Sequence, residues 1–322
     1  MPMSSVAVIG AGAWGTALTI QAARAGNDVT LWARDAGRAR LMAANRENPR
    51  LASVRLPEQV HIEAAFPAAA DFTLLAVPTQ HLRALLARLP AALAPLVVCA
   101  KGVEAETLRL PLEILAAVRP GVAAAVLTGP NFAHEIAAGL PAASVVAAAD
   151  AGLREAVAAA LSTPSFRLYG NDDPVGAQVG GAAKNVVAIA AGAVIGAGLG
   201  ENARAALITR GLAELARLAV ALGGRRETVM GLSGLGDLLL TCTGPASRNY
   251  SLGLALGQGE APADVLATRS AVTEGVATAP ALVARAAGVD MPICTAVASL
   301  LAGRTTLGEA MAALLARPRR DE

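Results

Sequence analysis

Aromatic side chains are almost missing from this chain: Phe, Trp and Tyr make up 2% of its 322 residues, although 54% are hydrophobic. The apolar content is therefore mostly Ala, Leu and Val, which suits tightly packed helices and buried parallel strands. Cysteine is scarce too. Cys99, Cys242 and Cys294 lie far apart, are odd in number and form no CxxC arrangement. Neither a disulfide framework nor a zinc site is suggested, and the expectation is buried thiols in a reducing compartment. An excess of one charge is also lacking, since 27 Lys and Arg are interspersed with 25 Asp and Glu for a net charge of +2. No basic stripe results, which argues against nucleic acid as the main partner while leaving a local anion site open. His61, His81 and His134 form no metal spacing, so no metal is expected. No run of bilayer length occurs either. The uncharged stretch Asn185 to Gly200 is short, rich in glycine and bounded by Lys184 and Glu201, so it reads as a buried helix without membrane insertion. Met-Pro-Met-Ser-Ser leads straight into a strand pattern with no charged n-region or cleavage site, and a cytoplasmic location is expected.

What the chain does have begins at Val6. A short β-branched run enters Gly10-Ala11-Gly12-Ala13-Trp14-Gly15 and then an alanine-rich helix to about Ala25. Gly10, Gly12 and Gly15 have GxGxxG spacing, which allows a tight turn, close backbone approach to a pyrophosphate, and close packing of helix on strand. The free N–H groups of that helix then face the phosphates. A second strand, Val29 to Ala33, ends at Arg34-Asp35. An acidic residue there usually selects NAD, but Arg34 comes first and suits the extra phosphate of NADP, so NADPH is favoured and a ribose contact from Asp35 stays open. The polar text from Ala36 to Val60, broken by Pro49 and Pro57, reads as a helix and a loop.

At 322 residues two domains are expected, 1–175 with a doubly wound parallel sheet and 176–322 all helical. Further strands at Phe72 to Val77, Leu96 to Ala100 and Ala123 to Thr128 deliver Pro78-Thr79, Lys101-Gly102 and Gly129-Pro130-Asn131-Phe132-Ala133 to the carboxyl edge, where ligands bind in such sheets. Ser144 to Ala148 and Phe166 to Tyr169 complete the sheet. After Asp173-Pro174 no convincing strand recurs. Gly176 to Ile195 is a long helix of small residues that puts Lys184 on a crowded apolar wall. Lysine is seldom buried without a reason, and desolvation lowers its pKa toward a range useful for proton transfer. Asp237 and Thr241 are four apart in a glycine-rich stretch, Gly231 to Gly244, and share a face if helical. Ser247-Arg248-Asn249 offers a cation and amide donors sufficient for phosphate, and reads equally as a polar turn. Asp264 to Leu315 is helical, and Val272-Thr273-Glu274-Gly275 lets the chain turn back. Together these residues suggest hydride transfer to a small phosphorylated ketone, with Lys184 polarising and protonating the carbonyl oxygen.

The sequence resembles the bacterial NAD(P)-dependent sn-glycerol-3-phosphate dehydrogenases from end to end. The motifs are GAGAWGTAL at 10–18, AKG at 100–102, GPNFA at 129–133, KNV at 184–186, GLSGLGDLLLTCTG at 231–244, SRN at 247–249 and TEG at 273–275. The resemblance implies a Rossmann-type domain followed by an all-α domain of the 6-phosphogluconate dehydrogenase C-terminal-like kind, and reduction of dihydroxyacetone phosphate for phospholipid synthesis. It makes Lys184 the catalytic residue and Lys101, Gly129, Asn131, Asp237, Ser247, Arg248 and Asn249 substrate contacts. Gly10, Gly12, Ala13, Trp14, Gly15, Arg34, Lys101, Ala133, Arg248, Val272 and Glu274 become coenzyme contacts. The expected partners are NADP(H) or NAD(H) and a phosphorylated three-carbon substrate, with a homodimer among the expected states. Two departures stand out. Ala13 replaces a common serine, at a cost of at most about 1 kcal/mol for one hydrogen bond, and Asn131 replaces the usual serine of the GPxFA loop. The alternatives are a related reductase of a 2-keto or 3-hydroxy acid and a dinucleotide-sensing regulator without chemistry.

Overall fold

A computed structural model describes residues 3–52, 54–269 and 272–318. The chain divides into two compact units, Met1–Lys101 with Leu110–Gln178, and Gly102–Arg109 with Val179–Glu322. The first strand, β1 (Ser5–Ile9), shows why the first unit is layered. Val6 and Val8 enter one apolar cluster, Ala7 and Ile9 the other, so both faces of the strand are buried. That is the pattern of a parallel strand covered by helices on each side.

From β1 the chain runs through α1 (Ala13–Arg24), β2 (Asp28–Trp32), α2 (Ala36–Asn45), β3 (His61–Glu63), β4 (Phe72–Leu75), α3 (Thr79–Leu86), β5 (Leu96–Val98), α4 (Pro111–Val118), β6 (Ala124–Thr128), α5 (Ala133–Ala138), β7 (Ala142–Ala147), α6 (Ala151–Leu161) and β8 (Phe166–Asn171). The eight strands form one sheet in the order β3-β2-β1-β4-β5-β6-β7-β8. All neighbours are parallel except β6 and β7. The order reverses between β1 and β4, which makes the crevice at their carboxyl ends the expected ligand position of a doubly wound fold. The expected Rossmann-type sheet is therefore present, with β3 an edge strand that the sequence did not signal and β7 and β8 continuing the sheet beyond β6.

The rest of the chain is helical among the described residues: α7 (Pro174–Gly196), α8 (Gly200–Ala221), α9 (Arg226–Val229), α10 (Asp237–Cys242), α11 (Arg248–Gly257), α12 (Pro262–Ala267), α13 (Glu274–Arg285), α14 (Pro292–Leu301) and α15 (Leu307–Leu315). Small residues on α7 let its neighbours approach closely, and by length and composition it is the one described helix able to cross a bilayer. Of its most apolar window, 83% is buried inside the protein, as in a core helix. The segment Gly102–Arg109 groups with these helices rather than with the sheet that flanks it in sequence. It closes on itself through Glu104 N–H to the Arg109 carbonyl at 3.0 Å and Leu108 N–H to the Glu104 carbonyl at 2.9 Å.

Candidate active site

In the sheet unit the glycine-rich turn admits no larger residue at two of its positions. Gly10 has φ +122°, and a Cβ there would lie 2.6 Å from the Ala76 carbonyl oxygen just beyond β4. A Cβ on Gly15 would lie 1.8 Å from the Gly10 carbonyl oxygen. Gly12 is the N-cap of α1, whose first turn contains no acidic residue and whose cap makes no side-chain hydrogen bond. The N–H groups of that turn are thus left for an anion. Ala13 and Trp14 open the helix, and the Trp14 indole nitrogen is buried with no hydrogen-bond partner. A cradle that a Cβ would fill, beneath an uncapped helix start, fits a dinucleotide pyrophosphate. Behind it, fully buried Asn48 donates to the Ala11 carbonyl at 3.2 Å and to the Thr16 hydroxyl at 2.6 Å. The loop after α2 is thereby fastened to the turn.

Arg34 is exposed after β2. Asp35 caps α2, its Oδ1 accepting from the Arg38 N–H at 2.6 Å, so this carboxylate is committed to a helix end. Further along the edge, the half-buried Lys101 donates from Nζ to the Gly129 carbonyl at 2.9 Å. Gly129 has φ +136° and its Cβ position is 3.0 Å from Ser144 Cα. Asn131 accepts from the Ser144 hydroxyl at 2.8 Å, while its Nδ2 is buried without a partner. Ala133 follows as the first residue of α5. Lys101, Gly129 and Asn131 are thus brought together. The buried hydroxyls of Thr79 and Thr128 on the same edge also lack partners. Unsatisfied buried polar atoms are uncommon in folded proteins, and a cluster of them at a sheet edge points to a polar ligand.

The helical unit holds the second cluster. Lys184 on α7 is 7% exposed and Asp237 is 0% exposed. Lys184 Nζ donates to Asp237 Oδ1 and, at 3.0 Å, to the Thr241 hydroxyl. Thr241 in turn donates to the Asp237 carbonyl at 2.6 Å. Lys184 is thus buried as its apolar surroundings predict, and a carboxylate compensates for that burial, as a buried charge requires. Two local devices make the meeting possible. Residues Leu232–Gly236 form a π-helical turn that feeds directly into α10, and Gly180 lets that turn approach α7, since a Cβ there would sit 2.5 Å from the Ser233 carbonyl oxygen. π-Turns recur at functional sites. Cys242, at the end of α10, is buried, and desolvation pushes its thiol up to about 12; Cys99, also buried, is raised to about 12 in the same way. Both stay protonated and unreactive at neutral pH.

Ser247, expected to touch substrate, caps α11 by accepting from the Tyr250 N–H at 3.2 Å. Arg248 is exposed at the first position of that helix. Asn249 is buried, donates to Asn185 Oδ1 at 2.9 Å and accepts from the Gly275 N–H at 3.0 Å. It therefore ties the residue after Lys184 to the start of α13. Val272 is 50% exposed, and Glu274 opens α13. Sequence reasoning missed the parts played by Asn48, one polar residue within a polar stretch, and Asn185, which stands in the KNV motif without a role.

Models of the NAD-dependent glycerol-3-phosphate dehydrogenase N-terminus and C-terminus match residues 5–153 and 173–312. A glycerol-3-phosphate dehydrogenase (NAD(P)+) of Acidiphilium cryptum is 60% identical over 98% of each chain, and one of Gluconobacter oxydans is 53% identical over 97% of each. The crystal structure of glycerol-3-phosphate dehydrogenase from Coxiella burnetii matches with a TM-score of 0.93 at 36% identity, covering 98% of this chain and 99% of that one.

Proposed function

The chain belongs to the NAD-dependent glycerol-3-phosphate dehydrogenase family, and we propose that it reversibly reduces dihydroxyacetone phosphate to sn-glycerol 3-phosphate with NADPH as favoured coenzyme. The observation that carries this reading is the buried ammonium of Lys184 held by Asp237 and Thr241. Ketone reduction needs a hydride on carbon and a proton on oxygen. When bound, the nicotinamide coenzyme supplies the hydride. Lys184 stabilises the negative charge that grows on the carbonyl oxygen and then gives it a proton; in the oxidative direction the neutral amine removes the hydroxyl proton. Asp237 and Thr241 orient Nζ, so the proton leaves from one fixed position.

The resemblance assigns the substrate to Lys101, Gly129, Asn131, Asp237, Ser247, Arg248 and Asn249. Arg248 at the start of α11 adds a guanidinium to helix N–H groups, a combination suited to a phosphate. Gly10, Gly12, Ala13, Trp14 and Gly15 are assigned to the coenzyme pyrophosphate, Arg34 to the adenosine end, and Lys101, Ala133, Arg248, Val272 and Glu274 to the remainder. The product supplies glycerophospholipid synthesis in the cytoplasm, where the buried thiols stay reduced.

The test is oxidation of NADPH by purified protein, followed by loss of reduced-nicotinamide absorbance. Turnover is expected with dihydroxyacetone phosphate and not with dihydroxyacetone. Equal turnover of the two, or preferred turnover of a 2-keto acid, overturns the substrate assignment.

A further inference from the structure

We infer that Arg38 and Arg50, together with Arg34, form a subsite for the 2′-phosphate of NADPH and set the discrimination against NADH. This rests on the coenzyme reading above and adds two residues to which neither the turn motif nor the resemblance gives a role. The geometry starts at the glycine-rich turn. Arg38, in the first turn of α2, donates from Nη2 to the Ala11 carbonyl inside GxGxxG and to Asn48 Oδ1 at 3.0 Å. The same Oδ1 accepts from the backbone N–H of Arg50 at 3.1 Å. One buried amide therefore sets the Arg38 guanidinium and the Arg50 backbone beside the turn. Arg34 leaves β2 immediately before the Asp35 cap.

The donors are still available. Among the described residues, Nε and Nη1 of Arg38 and the guanidinium groups of Arg34 and Arg50 make no hydrogen bond to protein. A guanidinium carries five N–H donors in a planar fork matched to phosphate, so the set has ample capacity for a phosphate dianion. The acid that would select a free ribose hydroxyl is already engaged, since Asp35 holds the Arg38 N–H at 2.6 Å. Electrostatics points the same way. Burial lowers the Arg38 pKa, the nearby Arg50 charge lowers it further, and Asp35 only partly offsets them. A dianion placed among these groups relieves the repulsion; the hydroxyl of NADH does not.

The test uses the full-length protein and two probes without a nicotinamide, adenosine 2′,5′-bisphosphate and 5′-AMP, titrated by calorimetry. Wild type is expected to bind the bisphosphate about tenfold or more tightly than AMP, a difference of about 1.4 kcal/mol. Arg50→Ala and Arg38→Gln, the latter able to keep a donor on the Ala11 carbonyl, are each expected to shrink that ratio about fivefold or more. The ratio of kcat/KM for NADPH over NADH should fall in parallel. An unchanged ratio in both variants overturns the inference, as does an equal loss of both probes, which marks mere damage to the turn. If wild type binds the probes equally, only the 2′-phosphate subsite fails. If it binds neither, the coenzyme reading fails with it.

Discussion

Lys184 and Asp237 are both buried and bonded to each other, so each needs the other for stability as well as for chemistry. Removing one partner of such a pair typically costs about 3–5 kcal/mol, whereas replacing both by neutral residues is often nearly neutral. Lys184→Met should therefore lower the urea midpoint markedly, and Lys184→Met with Asp237→Asn should recover most of that loss. Neither variant should turn over. A double variant that regains activity would remove the lysine from proton transfer. Arg248 is exposed and opens a helix, so Arg248→Ala should raise KM for dihydroxyacetone phosphate while barely moving the unfolding midpoint; an unchanged KM rejects the phosphate assignment. A third expectation concerns Glu214, buried on α8, which accepts from the Ile293 N–H at 2.6 Å and the Cys294 N–H at 3.1 Å at the start of α14. Desolvation outweighs these bonds and raises its pKa above the ordinary 4.5. The folded protein then holds this proton more tightly than the unfolded chain. Glu214 accordingly contributes most stability below about pH 4.5 and loses that contribution as pH rises through the raised value. Urea unfolding of wild type and Glu214→Gln across this range should show the difference between them changing with pH, with wild type losing ground on the alkaline side. A pH-independent difference contradicts the assignment.

At the level of elements, most of the sheet is legible because parallel strands buried on both faces read as unbroken apolar runs. β3 is not, since His61 and Glu63 are exposed and its three residues give no such run. For α2 the polar text predicts only a helix and a loop between 36 and 60; its ends, capped by Asp35 and the left-handed Arg46, are seen in the structure alone. The i,i+4 spacing of Asp237 and Thr241 places them on one face in sequence alone. What that face meets depends on the π-turn and on Gly180, a tertiary fact that no local pattern encodes. Likewise the use of Asp35 as a cap rather than a ribose contact depends on where α2 begins. Gly180→Ala tests the element-scale device. Its methyl group must displace the Ser233 backbone, an overpacking that costs about 1–3 kcal/mol. Because the same turn carries Asp237, kcat should fall more than KM rises. Wild-type kcat in a folded Gly180→Ala protein would show that the turn tolerates the shift.

For the whole molecule, coenzyme affinity and stability are linked. A ligand that binds only the folded protein at a hundredfold excess over its Kd adds about 2.7 kcal/mol. Calorimetric scans should therefore show NADPH raising the transition in which the sheet unit melts, and a scan unmoved by NADPH would argue against coenzyme binding at the turn. The excursion of Gly102–Arg109 has a separate consequence for anyone cutting the gene. Because the chain leaves the sheet unit after Lys101 and rejoins it at Leu110, truncation at Gln178 yields no self-sufficient nucleotide-binding cassette. Such a fragment retains Val103, 0% exposed in the intact protein, without the helices it belongs with. It should precipitate more readily than a version in which a polar linker replaces the excursion, so the portable module is a spliced one.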